Sequence, residues 1–268
     1  MTRTLADVAF EASTCTRCRL ALGRTQVVFG VGNPHADLMF VGEGPGFHED
    51  KQGEPFVGAA GQLLNRMLGE IGLAREDVYI TNVVRCRPPG NRDPEADEIE
   101  ACTPWLVETI SLIQPRLIVT LGNFATKFVL QTTQGITRTR GKVYDWHGRS
   151  VIPTFHPAAI LHGGGERSRQ FEDLREDFAL VQRTLSPGPA VADPATPPDA
   201  ATPPAPGAAT PAEPPAPMSP APAPPASAPP APAPPVPAPA APTPGIAART
   251  EPPLIVPAVP DEEQLELF

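Results

Sequence analysis

Residues 36–64 read ADLMFVGEGPGFHEDKQGEPFVGAAGQLL. The apolar run over 36–42 ends at a glycine, which is typical of a strand buried inside a parallel sheet. The loop over 42–58 is rich in glycine and acidic residues, but it has neither the G-K-[ST] ending of a Walker loop nor the spacing of a dinucleotide-binding loop. Apolar residues at helical spacing over 59–71 predict an amphipathic helix. This strand–loop–helix order favours an α/β fold.

The same alternation continues along the chain. Further strands are predicted over 78–84, 117–121 and 151–155, and helices over 94–113, from 122 onward and over 168–185. Apolar strands that alternate with helices form a parallel sheet covered on both faces. The sequence therefore predicts a three-layer α/β/α fold around a four-stranded, mostly parallel sheet. Ligands bind such sheets at the carboxyl ends of the strands, where the unusual loops of this chain fall.

The composition changes abruptly near residue 187. Of the chain's 39 prolines, 29 lie in residues 187–268, mixed mostly with Ala, Thr and Ser. Too few large apolar side chains occur there to offset the entropy of ordering, so we expect a disordered linker over 187–260. It would span between roughly 50 Å as a flexible coil and roughly 230 Å as polyproline II. A single globular domain is predicted over 1–186, and a short C-terminal peptide over 261–268.

The charged residues are also distributed unevenly between the globular domain and residues 187–268. The chain has 21 basic and 30 acidic residues, but 187–268 holds one basic and eight acidic residues, leaving the domain with 20 against 22. A DNA-binding face needs local cations rather than net positive charge, so the composition does not exclude one. Candidate cations for such a face are Arg85, Arg87, Arg92, Arg138, Arg140 and Lys142. Without an apolar run of about 18 residues or a secretory leader, we expect a cytoplasmic protein with no membrane partner.

Four cysteines form two groups. Cys15 and Cys18 make a C-x2-C pair, and Cys86 and Cys102 follow far along the chain. In a reducing compartment such a set suits metal or cluster ligation better than disulfides. Zinc and a [4Fe–4S] cluster both take four thiolates, and the spacing does not separate them from each other. Four unrelated buried thiols are a third interpretation. A ferredoxin-like electron carrier would use the same ligands, but the elaborate 42–58 loop is untypical of one.

Several motifs occur together and in order. They are C-x2-C at 15–18, G-E-x-P-G at 42–46, E-D-x-x-G-x-P-F-V-G at 49–58, T-N-V-V at 81–84, Cys86, Cys102 and H-P at 156–157. This set resembles the family 4 uracil-DNA glycosylases, the thermostable iron–sulfur type, over about residues 10–185. The chain departs from that family at Gly44, where alanine is usual, and at Ala158-Ala159, where Ser-Tyr often follows. The resemblance implies hydrolysis of the N-glycosidic bond of deoxyuridine in DNA, with no nucleotide cofactor and no catalytic metal.

The resemblance also implies roles for individual residues. The residues that would contact a flipped uracil are Glu43, Gly44, Glu49, Phe56, Asn82 and His156. Phe56 would stack on the ring, and Asn82 would accept from N3–H and donate to O4, a pattern that cytosine reverses. His156 would donate to O2 as negative charge develops there, and Glu43 would activate the water and favour the sugar cation. Glu49 near C5 would exclude the methyl group of thymine.

Two further features follow from the resemblance. It implies a structural [4Fe–4S] cluster on Cys15, Cys18, Cys86 and Cys102. Extruding a base leaves a hole in the DNA, which an apolar wedge can fill. Ile160 or Leu161 would be that wedge, and the glycines at 163–165 would allow close approach to phosphates. We expect a monomer that acts on uracil-containing DNA.

Two other functions fit part of the pattern. A DNA-crosslinking relative captures the sugar with a histidine on an inserted basic loop, but no such insertion lies between Arg87 and Pro94. A non-catalytic, cluster-bearing DNA-binding module would not need the set of Glu43, Phe56, Asn82 and His156. Both functions are therefore alternatives to a glycosylase.

The C-terminal peptide carries a separate resemblance. Residues 264–268 read QLELF, which resembles the Q-L-x-L-F peptide by which bacterial repair and replication proteins dock on the sliding DNA clamp. The central residue of that peptide is commonly Ser or Asp, and Glu266 keeps the acid. The resemblance implies that clamp contacts come from Gln264, Leu265, Leu267 and Phe268.

Overall fold

The computed structural model describes residues 3–186, which contain eight α-helices and six β-strands. The helices are α1 (Leu5–Ser13), α2 (Phe47–Gln52), α3 (Ala59–Glu70), α4 (Ala96–Ile113), α5 (Gly122–Leu130), α6 (Ile136–Thr139), α7 (Pro157–His162) and α8 (Arg169–Leu185). The strands are β1 (Val31–Gly32), β2 (Leu38–Gly42), β3 (Tyr79–Asn82), β4 (Leu117–Leu121), β5 (Tyr144–Trp146) and β6 (Arg149–Thr154). No helix in this range is long and apolar enough to cross a membrane.

The strands form one sheet in the order β1-β3-β2-β4-β6-β5. The four central strands run parallel, and each edge strand pairs antiparallel with its neighbour. The register places Gly42 beside Asn82 and Leu121 beside Thr154. The carboxyl ends of the central strands are therefore level with one another. The loops that follow these strands therefore open on the same side of the domain.

Alternate side chains of β2 enter two separate apolar layers, as the two-residue repeat of a strand requires. Met39 and Val41 belong to the layer built with α1, α4 and α5. Phe40 belongs to the opposite layer, with α3 and α8, where its ring stacks on Phe178 at 5.8 Å between centroids. Burying an aromatic or aliphatic side chain of this size contributes about 1.5–3 kcal/mol. Helices thus cover both faces, and the predicted three-layer α/β/α architecture is confirmed.

The predicted number of strands is correct for the parallel core and wrong for the whole sheet. Six strands are present, because β1 and β5 extend the core antiparallel at its two edges. Both are short, at two and three residues, and their side chains are partly exposed. Strands of that kind carry no apolar run, so the hydrophobic pattern did not reveal them.

The strand predicted over 78–84 is shorter in the structure, because backbone hydrogen bonds to a neighbouring loop replace the regular strand pairing at its end. The strand predicted over 78–84 ends at Asn82, because the N–H groups of Val83 and Val84 donate to the carbonyls of Gly42 and Glu43, at 2.9 and 3.0 Å. These bonds tie the loop after β3 to the loop after β2. The two loops that carry most of the predicted site residues are thereby held together.

Candidate active site

A cleft of about 380 Å³ opens at the carboxyl ends of β2, β3 and β6. All six residues that were expected to contact uracil line it, namely Glu43, Gly44, Glu49, Phe56, Asn82 and His156. The rest of the lining is Pro45, Gly46, Ala60, Pro88, Asn91, Arg92, Ala158 and His162. The volume lies within the range of small-molecule sites, and a single base fits inside it.

Phe56 is held in a strained backbone conformation inside the cleft. Its φ is 54°, in the left-handed region, and only 7% of the residue is exposed. The close packing depends on Gly61 of α3, where an added Cβ would lie 1.7 Å from the carbonyl oxygen of Phe56. The Phe56 ring lies 5.5 Å from the imidazole of His156, between centroids. Strain of this kind persists where the surrounding structure fixes it, and it presents the Phe56 ring to the cleft.

Asn82, the last residue of β3, forms the floor of the cleft. It is 2% exposed, and its Oδ1 has no hydrogen-bond partner among the described residues. Gly42 lies beside it, and a Cβ there would come within 2.4 Å of that Oδ1 and 2.7 Å of Cζ of Phe56. A buried acceptor without a partner costs about 1–3 kcal/mol. The site therefore presents an unmet acceptor that a ligand N–H can satisfy.

His156 precedes α7 and is fixed in one tautomer. Its Nδ1 accepts the backbone N–H of Ala158 at 3.1 Å, so the proton of the neutral ring is on Nε2. Burial lowers the pKa of His156 to about 4, and the nearby Glu49 carboxylate offsets this only in part. The imidazole is consequently neutral near pH 7 and donates from Nε2.

The two carboxylates of the cleft have different surroundings. Oε1 of Glu49 accepts the N–H groups of Val57 and Gly58 at 3.0 and 3.2 Å, so Glu49 holds the loop that carries Phe56. Burial, with a contribution from the like charge of Asp93, raises the pKa of Glu43 to about 7. Glu49 thus acts as a fixed wall, whereas Glu43 exchanges a proton near neutral pH.

The cysteines meet in a second cavity, between the segment after α1, the 85–93 loop and α4. It is lined by Cys15, Cys18, Cys86 and Cys102, together with Arg17, Arg24 and Trp105. Three sulfurs accept N–H bonds, Cys15 from Trp105 Nε1 at 3.4 Å, Cys86 from Arg24 at 3.4 Å and Cys102 from the Arg85 backbone at 3.3 Å. Within residues 3–186, no group of three or more His, Cys, Asp or Glu side chains has the geometry of a metal site. The fold therefore gathers the cysteines without showing how a metal is held.

Arg85 connects this cavity to the cleft. It is 1% exposed, and its guanidinium donates to the carbonyl of Asn82 at 2.8 Å and to Oγ1 of Thr109 at 3.2 Å. Its Nε has no partner among the described residues. Burial lowers the pKa of Arg85, and the side chains of Cys102, Tyr79 and Cys86 offset part of that effect. A buried cation is stabilised by an anion nearby. The buried guanidinium of Arg85 and the N–H groups that donate to the sulfurs therefore fit a negatively charged group bound by the cysteines.

Comparison with known proteins identifies the fold family. A family model described as the uracil DNA glycosylase superfamily matches residues 29–179, more than half of the chain. The chain belongs to the uracil-DNA glycosylase superfamily. All residues that line the cleft at the carboxyl ends of β2, β3 and β6 lie within the matched range.

Individual relatives place this superfamily member in the type-4 branch. The type-4 uracil-DNA glycosylase of Sulfurisphaera tokodaii is 48% identical over 187 residues, which are 66% of this chain and 83% of the relative. That of Archaeoglobus fulgidus is 48% identical over 186 residues, 66% of this chain and 91% of the relative. A type-5 uracil-DNA glycosylase of Pyrobaculum aerophilum is 34% identical over 146 residues, 48% of this chain and 64% of the relative. The family 4 resemblance predicted from the motifs is confirmed.

Four sequence expectations for this type-4 chain need correction or restriction. Ile160 is fully buried in the core, so it is not available as a DNA wedge, whereas Leu161 is 40% exposed. Arg85 is no part of a DNA-binding face, because it is buried beside the cysteines. Arg140 is bound by Asp177 and Asp173 and is also largely removed from solvent. The peptide with Gln264, Leu265, Leu267 and Phe268 lies outside the described residues.

The motifs did not identify Asn91, His162 and Asp93 as residues of the type-4 site, and Arg92 was expected on a DNA-binding face rather than in the cleft. Asn91 and His162 line the cleft, and Arg92 lines it while its guanidinium is paired with Glu98 at 2.6 and 2.9 Å. Asp93 acts on the pKa of Glu43. The position of Arg85 between Val84 and Cys86, at the end of a β-branched run, is a signal that could have indicated its burial.

Proposed function

We propose that this chain hydrolyses the N-glycosidic bond of deoxyuridine in DNA, which releases uracil and leaves an abasic site. The observation that carries the proposal is the unpaired, buried Oδ1 of Asn82 beside the Phe56 ring at the floor of the cleft. An enzyme that acts on a base takes it out of the duplex stack, and this cleft has the size to receive one base. The two type-4 relatives described above are named uracil-DNA glycosylases, after the same activity.

Base selection follows from hydrogen-bonding pattern and shape. The Oδ1 of Asn82 accepts from uracil N3–H, its amide donates to O4, and Phe56 stacks on the ring. Cytosine has an acceptor at N3 and an amino group at position 4, so both bonds would be lost and Asn82 would stay unpaired. Glu49 is fixed by two backbone N–H groups, and this rigid wall suits exclusion of the C5 methyl of thymine.

The reaction requires charge stabilisation on both sides of the scissile bond. As the bond between N1 and C1′ breaks, its electron pair passes to the uracil ring, and Nε2–H of His156 stabilises the negative charge on O2. The Glu43 carboxylate stabilises the positive charge on the sugar and takes a proton from the water that attacks C1′. Glu43 then gives up the proton to solvent and the uracil anion takes up one proton, so one water molecule is consumed and the products are free uracil and an abasic deoxyribose.

The rate should depend on pH through Glu43. The pKa of Glu43 is raised to about 7, and the ionised form is the active one, so the single-turnover rate should rise about tenfold per pH unit below pH 7 and level off above it. His156, whose pKa is lowered to about 4, should add no second step above about pH 5. Rates measured across this range test the assignment.

Two variants sharpen the pH experiment. Glu43→Gln should be slower by about 100- to 10,000-fold and should lose the acid limb. Asp93→Asn removes the like charge that raises the pKa of Glu43, so the midpoint should move to lower pH. A wild-type rate that is level through neutral pH would mean that Glu43 has another role.

The cysteine cavity fits a [4Fe–4S] cluster bound by Cys15, Cys18, Cys86 and Cys102. The sulfurs accept three N–H bonds, and Arg24 and Arg85 supply positive charge for an anionic group. When bound, the cluster supplies structural cross-linking of the cysteine segments and takes no part in bond cleavage. Reduced thiols of this kind also suit a cytoplasmic location.

Leu161 is the residue we propose for insertion into the DNA. It lies on α7 next to the cleft and is 40% exposed, while its neighbour Ile160 anchors the helix in the core. An inserted apolar side chain compensates for part of the stacking lost when uracil is extruded. The positive φ values of Gly164 and Gly165 permit the tight turn that follows this helix.

We also propose that residues 264–268 dock the enzyme on the sliding clamp. A tethered enzyme is kept at high effective concentration near newly copied DNA. A peptide of residues 259–268 should bind purified bacterial clamp, and the full chain carrying Leu267→Ala and Phe268→Ala should not. Uracil release from short oligonucleotides should be the same in both full-length proteins.

A control for the clamp experiment comes from the same segment. Leu254→Ala with Ile255→Ala removes two apolar residues outside the motif and should leave clamp binding intact. Equal retention of clamp by the wild-type chain and the Leu267/Phe268 double variant would refute the docking proposal.

One assay separates the glycosylase from its alternatives. The full chain is incubated with a uracil-containing oligonucleotide, and one portion is treated with alkali while another is run on a denaturing protein gel. Alkali-dependent cleavage at the uracil position, with no slowly migrating protein–DNA species, supports hydrolysis without a covalent protein–DNA product. A stable adduct would favour the crosslinking relative, and neither product would favour a non-catalytic DNA-binding module.

A further inference from the structure

An exposed aromatic side chain with two cations lies beside the cleft. Phe47, the first residue of α2, is 44% exposed. The Nζ of Lys51 lies 4.4 Å from the centroid of its ring, and the Cζ of Arg87 lies 5.1 Å from it. Neither cation forms a salt bridge with any residue in the range 3–186. We call Phe47, Lys51 and Arg87 the rim cluster.

The rim cluster joins the two loops that form the walls of the cleft. Phe47 directly follows Gly46, which lines the cleft, and Arg87 directly precedes Pro88, which lines it from the other side. The Nε of Arg87 donates to Oδ1 of Asn91 at 2.7 Å, and Asn91 is also a lining residue. A strand that enters the cleft across these two loops therefore passes close to these three side chains.

The chemistry of the rim cluster points to an unpaired nucleotide. An exposed aromatic ring accompanied by uncompensated cations is the combination by which proteins bind single-stranded nucleic acid, through base stacking and phosphate attraction. None of these three residues takes part in base selection or bond cleavage, whereas Phe56, which stacks on the uracil, is buried at the cleft floor. The neighbours of a flipped base in a duplex stay paired and stacked, so they cannot use such a ring.

We propose that the rim cluster binds a nucleotide next to the uracil in single-stranded DNA, with its base stacked on Phe47 and its phosphate near Lys51 and Arg87. The inference rests on the proposed function for the position of the strand. It assigns a substrate preference, because the rim cluster strengthens binding of single strands and not of duplexes.

The test measures binding of the full-length protein to a short, labelled oligonucleotide with a central 2′-fluorodeoxyuridine, whose fluorine slows hydrolysis. Phe47→Ala should weaken binding of the single strand about 5- to 150-fold and leave binding of the duplex nearly unchanged. Phe47→Trp should retain single-strand binding. Phe10→Ala is the matched control, because Phe10 is 78% exposed on α1, and it should leave both affinities unchanged.

A series of single-stranded oligonucleotides, each lacking the base at one position, shows which base stacks on Phe47. Removing the base at the stacked position should weaken binding by wild-type protein as much as Phe47→Ala does, with no further loss in the variant. Lys51→Gln and Arg87→Gln should each lower the salt dependence of single-strand binding by about one phosphate contact.

The outcomes separate this inference from the proposed function. Equal losses for single strand and duplex, or no loss in Phe47→Ala, overturn the inference, and uracil release by the wild-type protein then leaves the proposed function standing. If the wild-type protein releases no uracil while Phe47→Ala still loses single-strand binding, the proposed function fails and the binding role of the rim cluster stands.

Discussion

Replacing His156 by alanine should lower the single-turnover rate of uracil release about 100- to 1000-fold, with little change in DNA affinity. The Nδ1 of His156 is occupied by the N–H of Ala158, and burial keeps the ring neutral, so Nε2–H is the donor aimed at the cleft. This donor is needed most when charge develops on uracil O2, and its loss should therefore appear in the rate rather than in binding. Rapid-quench measurement of uracil release at saturating enzyme gives that rate.

His35→Ala is the matched control for this variant. His35 is exposed and precedes β2, at the amino ends of the parallel strands and away from the cleft. The control should release uracil at the wild-type rate. A His156→Ala protein that has native circular dichroism and the wild-type rate would remove His156 from the mechanism.

Replacing Cys102 by alanine should abolish the brown colour that the proposed cluster would give and lower the stability by about 3–5 kcal/mol, the usual loss when a buried charged network loses a member. For a domain of this size, that loss corresponds to a fall of roughly 6–20 °C in Tm. The Sγ of Cys102 accepts the backbone N–H of Arg85, whose guanidinium holds the carbonyl of Asn82. Uracil release should therefore fall as well, even at temperatures where the variant is folded.

Thr103→Ala serves as the control for the cysteine variant. Thr103 is the next residue on α4, and its Oγ1 donates to the carbonyl of Ile99 within the same helix, at 2.8 Å. This protein should keep its visible absorbance and nearly all of its stability. Colourless wild-type protein with one zinc per chain and full activity would show that the cavity holds zinc.

The sequence predicted the parts of the fold that depend on long apolar runs. The continuous patterns at β2 and β4 indicated buried parallel strands, and the helical spacing over 59–71 indicated α3. The edge strands β1 and β5 are too short and too exposed to produce such a pattern. Their position depends on pairing with β3 and β6, which local sequence does not encode.

In the candidate site too, sequence motifs identified some residues, whereas the availability of others depends on how their side chains pack. Motifs identified Phe56, Asn82 and His156, and the fold brings all three to one cleft. The motifs left Ile160 and Leu161 as alternative candidates for insertion into DNA. These two residues are neighbours in sequence, but only Leu161 is exposed. Such outcomes depend on which side of a helix meets the core, and a six-residue helix gives too little periodicity to predict it.

The most direct test of the central claim is release of the free base from four matched oligonucleotides that differ at one position, carrying uracil, thymine, cytosine or adenine there. Free base is quantified by mass spectrometry after incubation with the purified full-length protein. We expect stoichiometric release of uracil and no release of the other three bases, because Asn82 would pair with uracil N3–H and O4 and Glu49 would exclude a C5 methyl group. No release of uracil, or release of cytosine at a comparable rate, would contradict it.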